Sequence, residues 1–109
     1  MTRITATELA EWQTAKRNFT LLDVRRSAVR TQNAADIAGG QWLDPEQLLS
    51  WKDSIARDKP VVVYCAHGHE IGQGIAGTLA AMGLDARYLI DGFSGWQTSG
   101  NSVVTSSGG

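Results

Sequence analysis

The chain has one cysteine, two prolines, two methionines and almost no net charge, formally −1 over 109 residues. A lone cysteine excludes a disulfide within the chain and suits a reducing compartment. Lys and Arg are scattered rather than clustered, so there is no electrostatic footprint for nucleic acid or for an anionic membrane surface. No apolar run is long enough to span a bilayer. Met1-Thr2-Arg3-Ile4 carries no apolar stretch of the signal-peptide kind, and a cytoplasmic setting is expected. There is no repeat at the periods of solenoids or propellers. No second Cys/His cluster accompanies Cys65, His67 and His69. Zinc sites need four ligands, or three and a water, so no metal is expected. At 109 residues the chain is one domain of ordinary size, able to bury a core without staples.

What is present is concentrated in Val61-Val62-Val63-Tyr64-Cys65-Ala66-His67-Gly68-His69-Glu70. Three β-branched residues in a row suit a strand buried on both faces, as in a parallel sheet. The apolar run stops at the cysteine. A short loop with Gly and His follows, and then a helical stripe of Ile71, Ile75, Leu79 and Met82. A cysteine at the carboxyl end of a buried strand, before a helix, sits where open α/β sheets put their ligands. Backbone N–H groups of such a loop and of the first helical turn lack intrahelical partners and carry partial positive charge. They favour a thiolate, which is the attacking form. The competing reading is a buried, inert core cysteine. A loop of His, Gly, His and Glu directly behind Cys65 weighs against it.

Around this centre the chain alternates. Thr5-Ala6-Thr7-Glu8 has the form of a capping box opening a helix to about Lys16. Phe19 to Val24 is a strand candidate, ending in Asp23-Val24-Arg25, and Ser27 to about Gln32 is helical. Asp36 to Gly40 is a turn-rich link into Gln41-Trp42-Leu43. Asp44-Pro45-Glu46-Gln47 starts another helix, with Leu48, Trp51 and Ile55 as its apolar stripe. Gly72, Gly74 and Gly77 weaken the helix behind the cysteine, and close approach to the sheet or to an anion is the expected reason. Gly83 stops that helix. Ala86 to Ile90 is a strand closed by Asp91-Gly92, and Phe93 to Trp96 begins a last short helix. The four tryptophans fit packing positions better than a binding platform. Residues 1–100 make the domain, and 101–109 read as a flexible Ser/Gly-rich tail. The fold class is α/β, a central, mostly parallel sheet with helices on both faces.

Four landmarks in this order resemble the single-domain rhodanese (thiosulfate sulfurtransferase) family. They are Asp23-Val24-Arg25, Asp36-Ile37-Ala38-Gly39-Gly40, the strand and loop from Val61 to Ile71, and Ile90-Asp91-Gly92-Phe93-Ser94-Gly95-Trp96. The resemblance runs from about Ile4 to Gly100 and implies the rhodanese-like fold. It also implies a persulfide enzyme without metal or organic cofactor. Cys65 would take a sulfane sulfur from a small-molecule donor such as thiosulfate and pass it to cyanide or a thiol. Ala66, His67, Gly68, His69, Glu70 and Ile71 would form the substrate-binding loop. Arg25 would assist anion binding, or else pair structurally with Asp23.

This chain departs from the family pattern at two charged positions. Asp36 stands where a His is common and takes a possible positive charge away from the site. Glu70 puts a carboxylate in the loop, which opposes a dianionic donor. Two other functions stand beside sulfur transfer. Phosphatases and arsenate reductases of the same fold resemble Cys-x5-Arg, because a guanidinium must hold the oxyanion. Ile71 occupies that position here. A non-catalytic sulfur-carrier, sensing or interaction module is the remaining alternative, and the presence of Cys65 argues against it.

Overall fold

The central strand, β5 (Val61–Tyr64), is buried along its whole length and explains the layering. Side chains of a strand alternate between faces. Val61 and Val63 join one apolar cluster with Leu22, Val24, Trp51, Ile75 and Leu79. Val62 and Tyr64 join the other with Ile4, Leu9, Leu21, Phe93 and Trp96. The fold is that of a computed structural model describing residues 2–105. Five strands form a parallel sheet. They are β1 (Thr2–Ile4), β2 (Thr20–Asp23), β4 (Gly40–Trp42), β5 and β6 (Ala86–Leu89), in the order β1-β6-β5-β2-β4. Helices α1 (Ala6–Thr14) and α5 (Gly92–Thr98) supply Leu9, Phe93 and Trp96 to one face. Helices α3 (Leu48–Trp51) and α4 (Glu70–Ala81) supply Trp51, Ile75, Ala76 and Leu79 to the other. This is the α/β architecture expected.

Local chemistry sets the element ends. The capping box forms: Glu8 N–H donates to Thr5 Oγ1 and Thr5 N–H to Glu8 Oε1, each at 3.0 Å. Those bonds from Thr5 hold the Glu8 carboxyl below the usual carboxylate value. Helix α4 stops at Gly83, whose φ of 94° is open to glycine without strain. Between β2 and β4 lie α2 (Ser27–Gln32) and the two-residue β3 (Ala35–Asp36).

Three expectations need correction. The single helix expected after Asp44 is broken into a 3-10 turn (Pro45–Gln47), α3 and a second 3-10 turn (Lys52–Ser54). Trp51 Nε1 donates back to Asp44 O at 2.8 Å, and Ser54 Oγ donates to Trp51 O at 2.7 Å. These side-chain bonds compete with a regular helical ladder. Second, the sequence reading singled out no strand before the capping box, yet β1 is one; it pairs with β6 from Thr2↔Arg87 to Ile4↔Leu89. Third, the segment after Gly100 is tied as far as Thr105. Trp96 Nε1 donates to Ser102 O at 2.8 Å, and β7 (Val104–Thr105) pairs antiparallel with β3. The rest of the expected tail, 106–109, lies outside the described residues.

Candidate active site

Register brings two chain segments to one place. β2 and β5 pair from Thr20↔Val61 to Asp23↔Tyr64, so both strands run out at the same level. Val24 N–H extends the pairing by donating to Tyr64 O at 2.8 Å. Beyond that level Arg25 and Cys65 come off adjacent strand ends.

The loop from Cys65 to His69 is held from behind. Phe93 N–H donates to Cys65 O at 2.8 Å and Ser94 N–H to Ala66 O at 2.9 Å. Gln73 Nε2 donates to Gly68 O at 3.0 Å. With these carbonyls engaged, Gly68 N–H donates to Cys65 Sγ at 3.2 Å. Two glycines permit the turn. Gly68 has φ 75°, and a Cβ there would stand 2.6 Å from Asp91 N. Gly92 has φ 56°, and a Cβ there would stand 2.5 Å from Cys65 O. In α4, Gly72 leaves room for the sulfur: a Cβ there would lie 3.1 Å from Sγ. Gly74 serves no such approach, since its Cβ would meet nothing within 4 Å.

Below the loop lies a buried ionic network. Arg25 is 1% exposed and Asp23 2%. Arg25 Nε and Nη2 donate to the Asp23 carboxylate, and Nη2 donates also to Ala35 O and to Asp36 Oδ1. Arg30 reaches Asp36 Oδ2 at 3.2 Å and Asp23 Oδ2 at 3.5 Å. The guanidinium of Arg25 lies 4.3 Å from the centre of the Phe93 ring, which stacks with Tyr64. Burial pulls the Arg25 pKa down, but the hydrogen bond and charge of Asp23 outweigh it and raise it. Burial, with Asp23 adding to it, pushes the Tyr64 phenol up. Two arginines and two aspartates make the network neutral. The expectation that Asp36 strips charge from the site is thereby refined: its carboxylate is bound to Arg25 and Arg30.

A pocket of about 480 Å³ opens over Cys65. Ala66, His67, His69, Glu70 and Ile71 line it from the loop and α4, and Arg25, Arg26 and Val29 from the opposite wall. The expected site residues therefore come together, with Gly68 buried behind the sulfur. Arg26 and Val29 are additions that the sequence reading missed. Arg26 follows Asp23-Val24-Arg25 directly and Val29 lies one helical turn on; an exposed apolar Val29 is a signal only in retrospect. The loop position that carries Arg in the oxyanion-ester enzymes is Ile71, and it lines the pocket. Among the described residues, no group of three or more His, Cys, Asp and Glu is placed to hold a metal ion. No described helix is long and apolar enough to cross a membrane.

The chain is similar to known proteins over nearly its whole length. The family model of the rhodanese-like domain matches residues 5–99. The chain is 36% identical over 92 residues to a thiosulfate sulfurtransferase GlpE of Actinobacillus succinogenes, covering 84% of this chain and 80% of that one. It is 38% identical over 66 residues to a thiosulfate sulfurtransferase GlpE of Tolumonas auensis, covering 60% of this chain and 61% of that one. This second match therefore spans less than two thirds of the relative. A crystal structure of a rhodanese-related protein from Thermoplasma volcanium superposes with a TM-score of 0.83 at 28% identity. That superposition covers 95% of this chain and 98% of the other.

Proposed function

Since the chain belongs to the rhodanese-like domain family, we propose that it is a sulfurtransferase working through a persulfide on Cys65. One observation carries the reading: a thiol on the wall of a pocket accepts a hydrogen bond from the Gly68 amide, while the neighbouring carbonyls are engaged elsewhere. Such a loop stabilises negative charge on sulfur.

The chemistry runs in two steps. The Cys65 thiolate attacks the outer sulfur of thiosulfate, the S–S bond of the donor breaks, and sulfite leaves with the electron pair. An acceptor, cyanide or a thiolate, then attacks the outer sulfur of the persulfide. The new bond forms to that sulfur, and Cys65 keeps the electron pair of the broken S–S bond. Each step is a displacement at sulfur, and two easier barriers replace one. Ala66, His67, Gly68, His69, Glu70 and Ile71 form the substrate loop in this reading. Arg25 lines the pocket wall, its guanidinium held by Asp23 and Asp36. No cofactor enters either step, and the free thiol fits a cytoplasmic setting. Ile71 offers no guanidinium to an ester oxyanion, so phosphoryl chemistry is disfavoured.

The test is the intact mass after incubation with thiosulfate. We expect the addition of one sulfur atom, discharged by cyanide as thiocyanate. Cys65→Ser should show neither the added mass nor more than a trace of thiocyanate. Turnover retained by the serine variant would overturn the assignment.

A further inference from the structure

Two charges at the rim of the pocket have no partner. Arg26 stands just before α2, and Glu70 is the first residue of α4. Both are exposed, and neither side chain makes a hydrogen bond or ion pair among the described residues. Both line the Cys65 pocket, and both also line a neighbouring groove of about 390 Å³ that runs between Pro45 and α4. They therefore sit where the two hollows join. Of the other charges, Arg25 of the pocket wall is held by Asp23 and Asp36, and the exposed Glu46 lines the neighbouring groove but not the Cys65 pocket. His67 and His69 complete the rim. A ligand approaching Cys65 meets one unopposed cation and one unopposed anion, held on separate elements.

We propose that the acceptor is a small zwitterionic amino-acid thiol, its carboxylate toward Arg26 and its ammonium toward Glu70. This deepens the sulfurtransferase reading and rests on it. A dianion gains from Arg26 and is opposed by Glu70; an organic cation meets the reverse; a zwitterion matches both. Its thiolate attacks the outer sulfur of the Cys65 persulfide. A new S–S bond forms on the amino acid, and the thiolate of Cys65 leaves with the electron pair of the old bond. The product is an amino-acid persulfide, and no further reactant is needed.

The test uses the full chain, loaded with sulfur from thiosulfate and freed of excess donor. Discharge of the added mass is timed with cysteine, 2-mercaptoethylamine, 3-mercaptopropionate and 2-mercaptoethanol. Each rate is expressed as variant over wild type, which cancels the intrinsic reactivity of each thiol. Relative to its effect on 2-mercaptoethanol, Glu70→Gln should slow cysteine and 2-mercaptoethylamine and speed 3-mercaptopropionate. Arg26→Gln should slow cysteine and 3-mercaptopropionate and speed 2-mercaptoethylamine. Exposed charge contacts set the expected size at roughly two- to fivefold each, shrinking as salt rises. Cysteine alone should be slowed by both variants. Equal slowing of all four thiols, or no effect on cysteine, overturns the inference while leaving the enzyme reading intact. Absence of the loaded species in wild type overturns both.

Discussion

Replacing Glu70 by Gln takes a negative charge from the pocket wall, and its consequence for the donor differs from that for the acceptor. Thiosulfate is a dianion, so the Glu70 carboxylate repels it twice. At an effective dielectric constant of ~20, a pair of unit charges ~6 Å apart repels by roughly 3 kcal/mol before screening, and exposure reduces this sharply. With cyanide in excess, Glu70→Gln is expected to lower the KM for thiosulfate about two- to fivefold at low salt, with kcat little changed. The rival role is helical: an acid in the first turn of α4 stabilises the macrodipole. It predicts an unchanged KM and a lower Tm. Steady-state kinetics at two salt concentrations, with a melting curve for each protein, separate the two. Glu70 was visible in the sequence as an unusual loop residue because it lies beside Cys65 in the chain. Arg26 was not, because it meets Cys65 only through the β2–β5 register.

Two of the three glycines of helix α4 look alike in sequence and differ in space. Gly74 faces open space, so Gly74→Ala adds helix propensity without a clash. It should stabilise the fold by about 0.5–1 kcal/mol, read from the urea midpoint at constant m. Gly72→Ala offers the same gain but puts a methyl 3.1 Å from Cys65 Sγ. Overpacking costs of about 1–3 kcal/mol offset that gain. Where the sulfur is the group that gives, its 3.2 Å bond from Gly68 N–H is strained and persulfide loading should slow; loading at the wild-type rate would show that the crowding is absorbed elsewhere. Sequence pattern could not rank these two positions, since a glycine records only that a side chain is missing. The same limit explains which strands were legible. β2, β5 and β6 announced themselves by apolar runs, whereas β1 and β4 are three-residue edge strands. Of the six residues in those two strands, only Ile4 is buried. β3 and β7 have two residues each, below any period. The break after Asp44 was hidden because Trp51 satisfies both a helical stripe and a side-chain bond back to Asp44 O, seven residues earlier.

Asp23 links more of the fold than any one element does. It ends β2, holds Arg25 at 2.8 Å and lies 3.5 Å from Arg30 of α2. Through Arg25 the same network reaches β3 at Ala35 O and Asp36. It also reaches β4, where Trp42 Nε1 donates to Arg25 O at 2.8 Å. Breaking a buried pair by removing one partner leaves a charge without compensation and costs about 3–5 kcal/mol. Asp23→Asn should therefore lose that much in urea unfolding, a large part of the ~5–15 kcal/mol typical of a domain. A loss below 1 kcal/mol would mean that Asp36 suffices alone. The two faces of β5 have a different consequence. Val61 and Val63 belong to one apolar compartment, Val62 and Tyr64 to the other, and a single ribbon of backbone divides them. Distant packing sites with no shared neighbours vary independently. The compartment around Ile75 and Leu79 can thus drift in sequence without renegotiating Leu9 or Trp96, so the two halves of the interior are free to evolve at separate rates while the loop at the strand's end stays where it is.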